Sequence, residues 1–201
     1  MTAPIIVANF QYEKGLKMHK TCARCTVLLA LLFLWFAAVP SGQAQEWPED
    51  AAVEAGDAFS GLHVTNAWIG ARSFIALWNP PASGKNIYLD AVALSHTNTA
   101  ADGVDMRHIT TSTGTLRDHG RNKRLGWAAS VAEIRWGNAY ASAFSAMPIL
   151  REAWTGTRYD DHQYQLRGSY LLEPGNGVIV ISANDNIGLI VTFDWRQKAI
   201  P

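Results

Sequence analysis

Near the C-terminal end, large apolar residues recur at every second position: Ile187, Leu189, Val191, Phe193 and Trp195, with Thr192 and Asp194 between them. A repeat of two sends alternate side chains to opposite faces of an extended chain, so the spacing predicts a strand with one buried face. Residues 177–183 precede it and hold Val178, Ile179, Val180 and Ile181 in succession. β-Branched side chains of this kind suit a pleated, buried surface. Asn184-Asp185-Asn186 separates the two runs. Asn and Asp tolerate positive φ, which predicts that the two runs pair as a closing hairpin. Pro174, Gly175 and Gly177 oppose any helix running in from Tyr170.

Shorter versions of the same pattern fill the chain upstream. Residues 62–69 and 73–78 read as strands, divided by Gly70-Ala71-Arg72, and 79–85 (Asn-Pro-Pro-Ala-Ser-Gly-Lys) is a dense turn signal. Residues 86–96 alternate but are apolar on both faces, and 104–111 is another strand. Residues 112–126 form a long polar connection with three glycines. Residues 127–136 are ambiguous: the alanines permit a helical turn, while Val131, Glu133 and Arg135 alternate with Ala132, Ile134 and Trp136. Residues 156–163 read as a loop, and 164–172 lead into the closing pair. Nothing keeps a 3.6-residue period over twelve or more positions. The fold class expected is all-β: a single antiparallel β-sandwich, jelly-roll-like, over 61–196, with 45–60 as a linker or arm.

Composition is globular, with charged residues at 17% and a formal net charge of zero. The balance is uneven along the chain. Lys14, Lys17, Lys20 and Arg24 face only Glu13 in the first 44 residues, leaving 13 basic and 16 acidic residues from Gln45 on. A slightly acidic body lacks the basic face that nucleic-acid binding needs. The basic opening precedes a 13-residue apolar core at 27–39, then Pro40-Ser41-Gly42-Gln43-Ala44. This is the pattern of a secretory leader over 1–44, cleaved near Ala44 and too short for a membrane span. Membrane contact is expected only through that leader. Both cysteines, Cys22 and Cys25, lie inside it, so the body is expected to fold without thiols or disulfides.

The chemistry-bearing residues are scattered. Asp102, Asp105 and His108 are close in sequence, but Asp105 and His108, three apart on a strand, point to opposite faces. Asp160-Asp161-His162 lacks the spaced acids and glycine of a calcium loop. Arg117, Arg121, Lys123 and Arg124 form the one basic cluster, diluted by Asp118. His63, His96 and His119 have no motif around them, no serine occupies a Gly-x-Ser-x-Gly elbow, and Gly168, Gly175 and Gly177 belong to turns. No catalytic, cofactor-binding or metal-ligating residues are therefore assigned, and no enzymatic activity or cofactor is expected. Seven tryptophans lie outside the leader: Trp47, Trp68, Trp78, Trp127, Trp136, Trp154 and Trp195. Trp195 follows the core alternation, and Trp47 is the one most expected to be exposed. Exposed tryptophans anchor interfaces or stack on sugars.

The segment Leu77-Trp78-Asn79-Pro80-Pro81-Ala82-Ser83-Gly84-Lys85-Asn86-Ile87-Tyr88-Leu89 resembles the strand, Asn-Pro-x-x-Ser-Gly-Lys, strand opening of small β-sandwich virion proteins of tailed bacteriophages. Residues 120–126 are similar to their mid-domain loop. Glu173-Pro174-Gly175-Asn176-Gly177 and the ending Phe193-Asp194-Trp195-Arg196 are similar to their close. The resemblance spans about 60–196 and implies a structural role, as a decoration or tail-associated subunit that packs against copies of itself or other virion or surface proteins. It carries no catalytic residue over. The expected location is the virion for a phage-encoded chain, and otherwise the periplasm or medium. The alternative expectation, from the leader and the tryptophans, is a secreted carbohydrate- or cell-surface-binding module.

Overall fold

The computed structural model describes residues 48–98, 102–154 and 162–200. The chain divides into two units, 1–45 and 46–201, and only the second is described. The expected leader, with Cys22 and Cys25, lies outside the described residues, as do Trp47, Asp160 and Asp161.

The described body begins with a short helix, α1 (Pro48–Glu54), where an arm was expected. It closes on Gly56 (φ 73°), with Asp57 N donating to Ala52 O and Gly56 N to Val53 O. That left-handed residue is the usual glycine stop. A Cβ there would also strike the Trp127 ring, so two constraints meet at one position. Eleven strands follow: β1 (Ala58–Val64), β2 (Arg72–Asn79), β3 (Lys85–His96), β4 (Gly103–Ile109), β5 (Thr115–Asp118), β6 (Arg121–Asn122), β7 (Glu133–Ala139), β8 (Ile149–Trp154), β9 (His162–Leu172), β10 (Asn176–Ser182) and β11 (Leu189–Ala199). The first therefore starts earlier than the sequence pattern indicated and runs through Gly61. The polar connection at 112–126 contains β5 and β6, and the ambiguous segment resolves into β7.

The strands form two antiparallel sheets. One has five strands in the order β6-β1-β11-β3-β9, the other six in the order β5-β7-β2-β10-β4-β8. The all-β sandwich expected from the sequence is the architecture found. One expectation fails. The last two strands do not pair with each other: β10 lies between β2 and β4, and β11 between β1 and β3. Asn186 takes the positive φ foreseen for the turn (65°), but the turn crosses from one sheet to the other. The reason is visible in the side chains. Val178 and Val180 on one strand and Leu189, Val191 and Phe193 on the other all enter the single inter-sheet core, so the two strands lie in opposite layers.

That core holds Phe59, Ile75, Leu77, Ile87, Leu89, Val92, Ile134, Phe193 and Trp195, among others. The Trp195 indole N–H donates to Ser130 Oγ at 3.0 Å, which satisfies the one polar atom of the largest buried side chain. Asn79, at the head of the Asn-Pro-Pro turn, donates through Nδ2 to Lys85 O and Leu172 O, both at 2.8 Å.

A second apolar cluster lies on the outer face of the six-stranded sheet: Phe74, Ala76, Trp78, Ile109, Ile179 and Ile181. Phe144 covers it, edge-on to Phe74 with ring centroids 5.7 Å apart. Phe144 ends a 3₁₀ turn (Ala141–Phe144) in the connection from β7 to β8. This connection straps the sheet from outside. Arg107 pins it by donating from Nη1 to Phe144 O at 2.8 Å, while its Nη2 holds Asp105 at 2.6 Å. The strap explains why β10 is apolar on both faces.

Candidate functional site

The candidate residues of the sequence are not brought together. Asp105 is paired with Arg107, His108 Nε2 lies 3.0 Å from Asn176 Oδ1, and Asp102 accepts from Asn184 Nδ2 at 2.6 Å. Asp102 is buried with His96, whose Nε2 is 3.9 Å from its Oδ2. Burial raises the Asp102 carboxyl above its ordinary range, opposed by the Asn184 bond and by His96. His162 is exposed at the start of β9. Among the described residues no group of three or more His, Cys, Asp or Glu could hold a metal ion, and no helix is long and apolar enough to cross a membrane.

The basic cluster is likewise divided. Lys123 Nζ sits 3.4 Å from Asp194. Arg124 stacks on Trp127, 4.1 Å from the ring centroid, and donates to Glu54 O. Arg117 and Arg121 are exposed on β5 and β6, at the edges of different sheets. His63 packs on Trp136 with ring centroids 5.4 Å apart, and burial, then Arg117, lowers its pKa below the ordinary imidazole value.

Two surfaces stand out instead. The first is the solvent face of the five-stranded sheet. Val191 and Phe193 point into the core, so Ile190 and Thr192 point out. The register sets Leu62 beside Thr192 and Val64 beside Ile190, with Ala93 and Ser95 on the far side of β11. Leu62 is 59% exposed and Val64 44%. An antiparallel sheet face in water is ordinarily polar. Here Leu62, Val64 and Ile190 are apolar, beside Thr192 and Ala93 and next to a buried Ser95.

The second is an open groove of about 890 Å³ on the outer face of the six-stranded sheet, beside the strap. Its floor is Phe74, whose ring lies over Gly114 and Gly137. A Cβ on either glycine would come within 2.7 Å of that ring. One wall is the loop from β1 to β2, carrying Trp68 (56% exposed) and Ile69 (99%). The other is the start of the strap, carrying Tyr140 (74%) and Ser142. Both walls are anchored. Gly70 N donates to Asn186 Oδ1 at 2.8 Å and Asn186 N to Ala71 O at 3.1 Å, while Phe144 and Arg107 hold the strap. No lining side chain is an acid, a base or a histidine.

The sequence marked Trp68 only as one of seven tryptophans and did not single out Tyr140. Trp78 and Trp195 are core, Trp136 is half-buried, and Trp127 is exposed beneath Arg124. No protein-family model, no curated protein and no solved structure matches this chain.

Proposed function

We propose that this chain is a non-enzymatic assembly subunit with jelly-roll topology, of the virion-structural kind its turn and strand signatures resemble, and that it packs against other copies of itself. The observation that carries the reading is the outward apolar face of Leu62, Val64 and Ile190. Burying such a face against a second copy removes apolar area from water at about 25 cal/mol per Å². The strand order supports the topology. The first strand pairs with the last, and β1-β11-β3-β9 stacks on β2-β10-β4-β8, so successive strands of this frame alternate between layers as they do in a rolled-up double sheet, except at β4 and β8, which pair side by side. Strands β5, β6 and β7 extend this frame on one side.

Sedimentation velocity on the full chain tests the proposal. The expected result is a concentration-dependent oligomer that becomes monomer in the Leu62→Glu/Val64→Glu variant, with urea unfolding little changed. A strict monomer at high concentration overturns the reading. So does an oligomer that the double variant leaves intact.

A further inference from the structure

We infer that the groove between the β1–β2 loop and the strap is a binding site for a neutral oligosaccharide. It lies on the opposite sheet from the proposed assembly face, and the inference stands independently of that proposal.

The walls offer ring surfaces. Trp68 and Tyr140 stand exposed at the two sides, above a Phe74 that is itself buried. Flat aromatic side chains with a polar edge provide an apolar face and a hydrogen-bonding tip together, which suits a sugar ring with its C–H face and equatorial hydroxyls.

Between them stand hydrogen-bonding groups that the protein leaves unused. Among the described residues, Ser142 Oγ and Tyr140 Oη take part in no hydrogen bond. Hydroxyl groups that both donate and accept match a polyol.

The charge of the lining decides between ligand classes. With no ionisable group other than Tyr140 facing the groove, a sulfated or uronate-bearing chain would lose water around its anions and meet no cation. A peptide strand is disfavoured for another reason. The groove runs over a sheet face, where the backbone groups of β2 and β7 already pair with each other, so none remains for strand addition. Size agrees: about 890 Å³ falls in the range of small-ligand clefts, about 300–1,000 Å³, and an open trough admits an inner stretch of a longer chain. The anchored walls lower the ordering cost that a weak, polar ligand could not offset.

Calorimetric and tryptophan-fluorescence titration of the full chain tests the site. The probes are soluble hexaoses of glucose, xylose, mannose and N-acetylglucosamine, with sulfated and uronate oligosaccharides as a charged panel. At least one neutral hexaose is expected to bind. Affinity should fall at least tenfold in Trp68→Ala and in Tyr140→Ala, whose parent side chains are exposed enough to leave the fold intact by circular dichroism. Trp127→Ala, outside the groove lining, should bind as the parent does. The inference is overturned by silence of the whole neutral panel at millimolar sugar, by binding that survives both wall variants, or by binding confined to the charged panel.

Discussion

Arg196 clasps Asp90 with two parallel hydrogen bonds, Nε to Oδ2 and Nη2 to Oδ1, each 2.8 Å long. The pair sits where β3 bulges against β11, the register slipping between Asp194 and Trp195 so that Asp90 is the extra residue. Opposite, β9 loops out at Arg167 and Gly168, both at positive φ, to clear the guanidinium: a Cβ on Gly168 would stand 2.6 Å from Arg196 Nη2. Both side chains are about nine-tenths buried. Removing one partner strands the other in a poorly solvated place, which costs several kcal/mol where the charge is fully buried. Asp90→Ala is expected to lose about 3 kcal/mol in urea unfolding. Asp90→Ala/Arg196→Met should lose less than the two single changes added, since each removes the same contact.

Phe144 is the only large apolar side chain that the 3₁₀ turn buries, and it closes the outer cluster over Phe74. Phe144→Ala is expected to cost about 3 kcal/mol through the cavity it leaves. The strap that carries the groove wall should loosen with it, seen as faster amide exchange at 140–147 while β10 and β11 stay protected.

His63 should titrate below the ordinary 6.5, since partial burial and then Arg117 both disfavour the imidazolium. A folded value below the unfolded one means that its contribution to stability is present above the unfolded value and is lost as pH falls through the folded one. Proton NMR titration of the ring should give the depressed value. Arg117→Ser should raise it only part of the way, because burial remains. An unchanged value in that variant would show that the arginine plays no part.

Asp102 predicts the opposite slope. Its carboxyl is raised from 3.8, first by burial, so the folded state holds this proton more tightly than the unfolded chain does. That contribution is full below the unfolded value and is lost as pH rises through the folded one. Unfolding free energies measured from pH 3 upward should show the parent losing ground against Asp102→Asn across that interval. Asn184 can still bond an amide oxygen at position 102, so the variant should fold.

Much of this body could be read from its residues. The alternation of 187–195, the β-branched run before it and the Asn-Pro-Pro turn all become the elements they indicate, because local backbone preference and one-sided burial agree there. Partner choice could not be read. A period of two is the same whether a strand's neighbour lies across a tight turn or across a core, so β10 and β11 looked like a hairpin. The apolarity of Ile179 and Ile181, on the face away from the core, was the overlooked sign of a covered central strand. The groove was illegible for a related reason. Trp68, Gly114 and Tyr140 are distant along the chain, and the glycines acquire meaning only once Phe74 is seen against them.

The placement of the last two strands has a consequence for how the protein is made. Without β10 and β11, one sheet falls into the separate pieces β6-β1 and β3-β9, and the other into β5-β7-β2 and β4-β8. A ribosome extruding this chain therefore releases neither sheet whole before residues 176–199 emerge, and contacts this distant in sequence form slowly. Nascent polypeptides stalled with residues 176–199 still inside the ribosome should lose β1 to β9 to protease, and those extended by a linker that brings Ala199 outside should resist it.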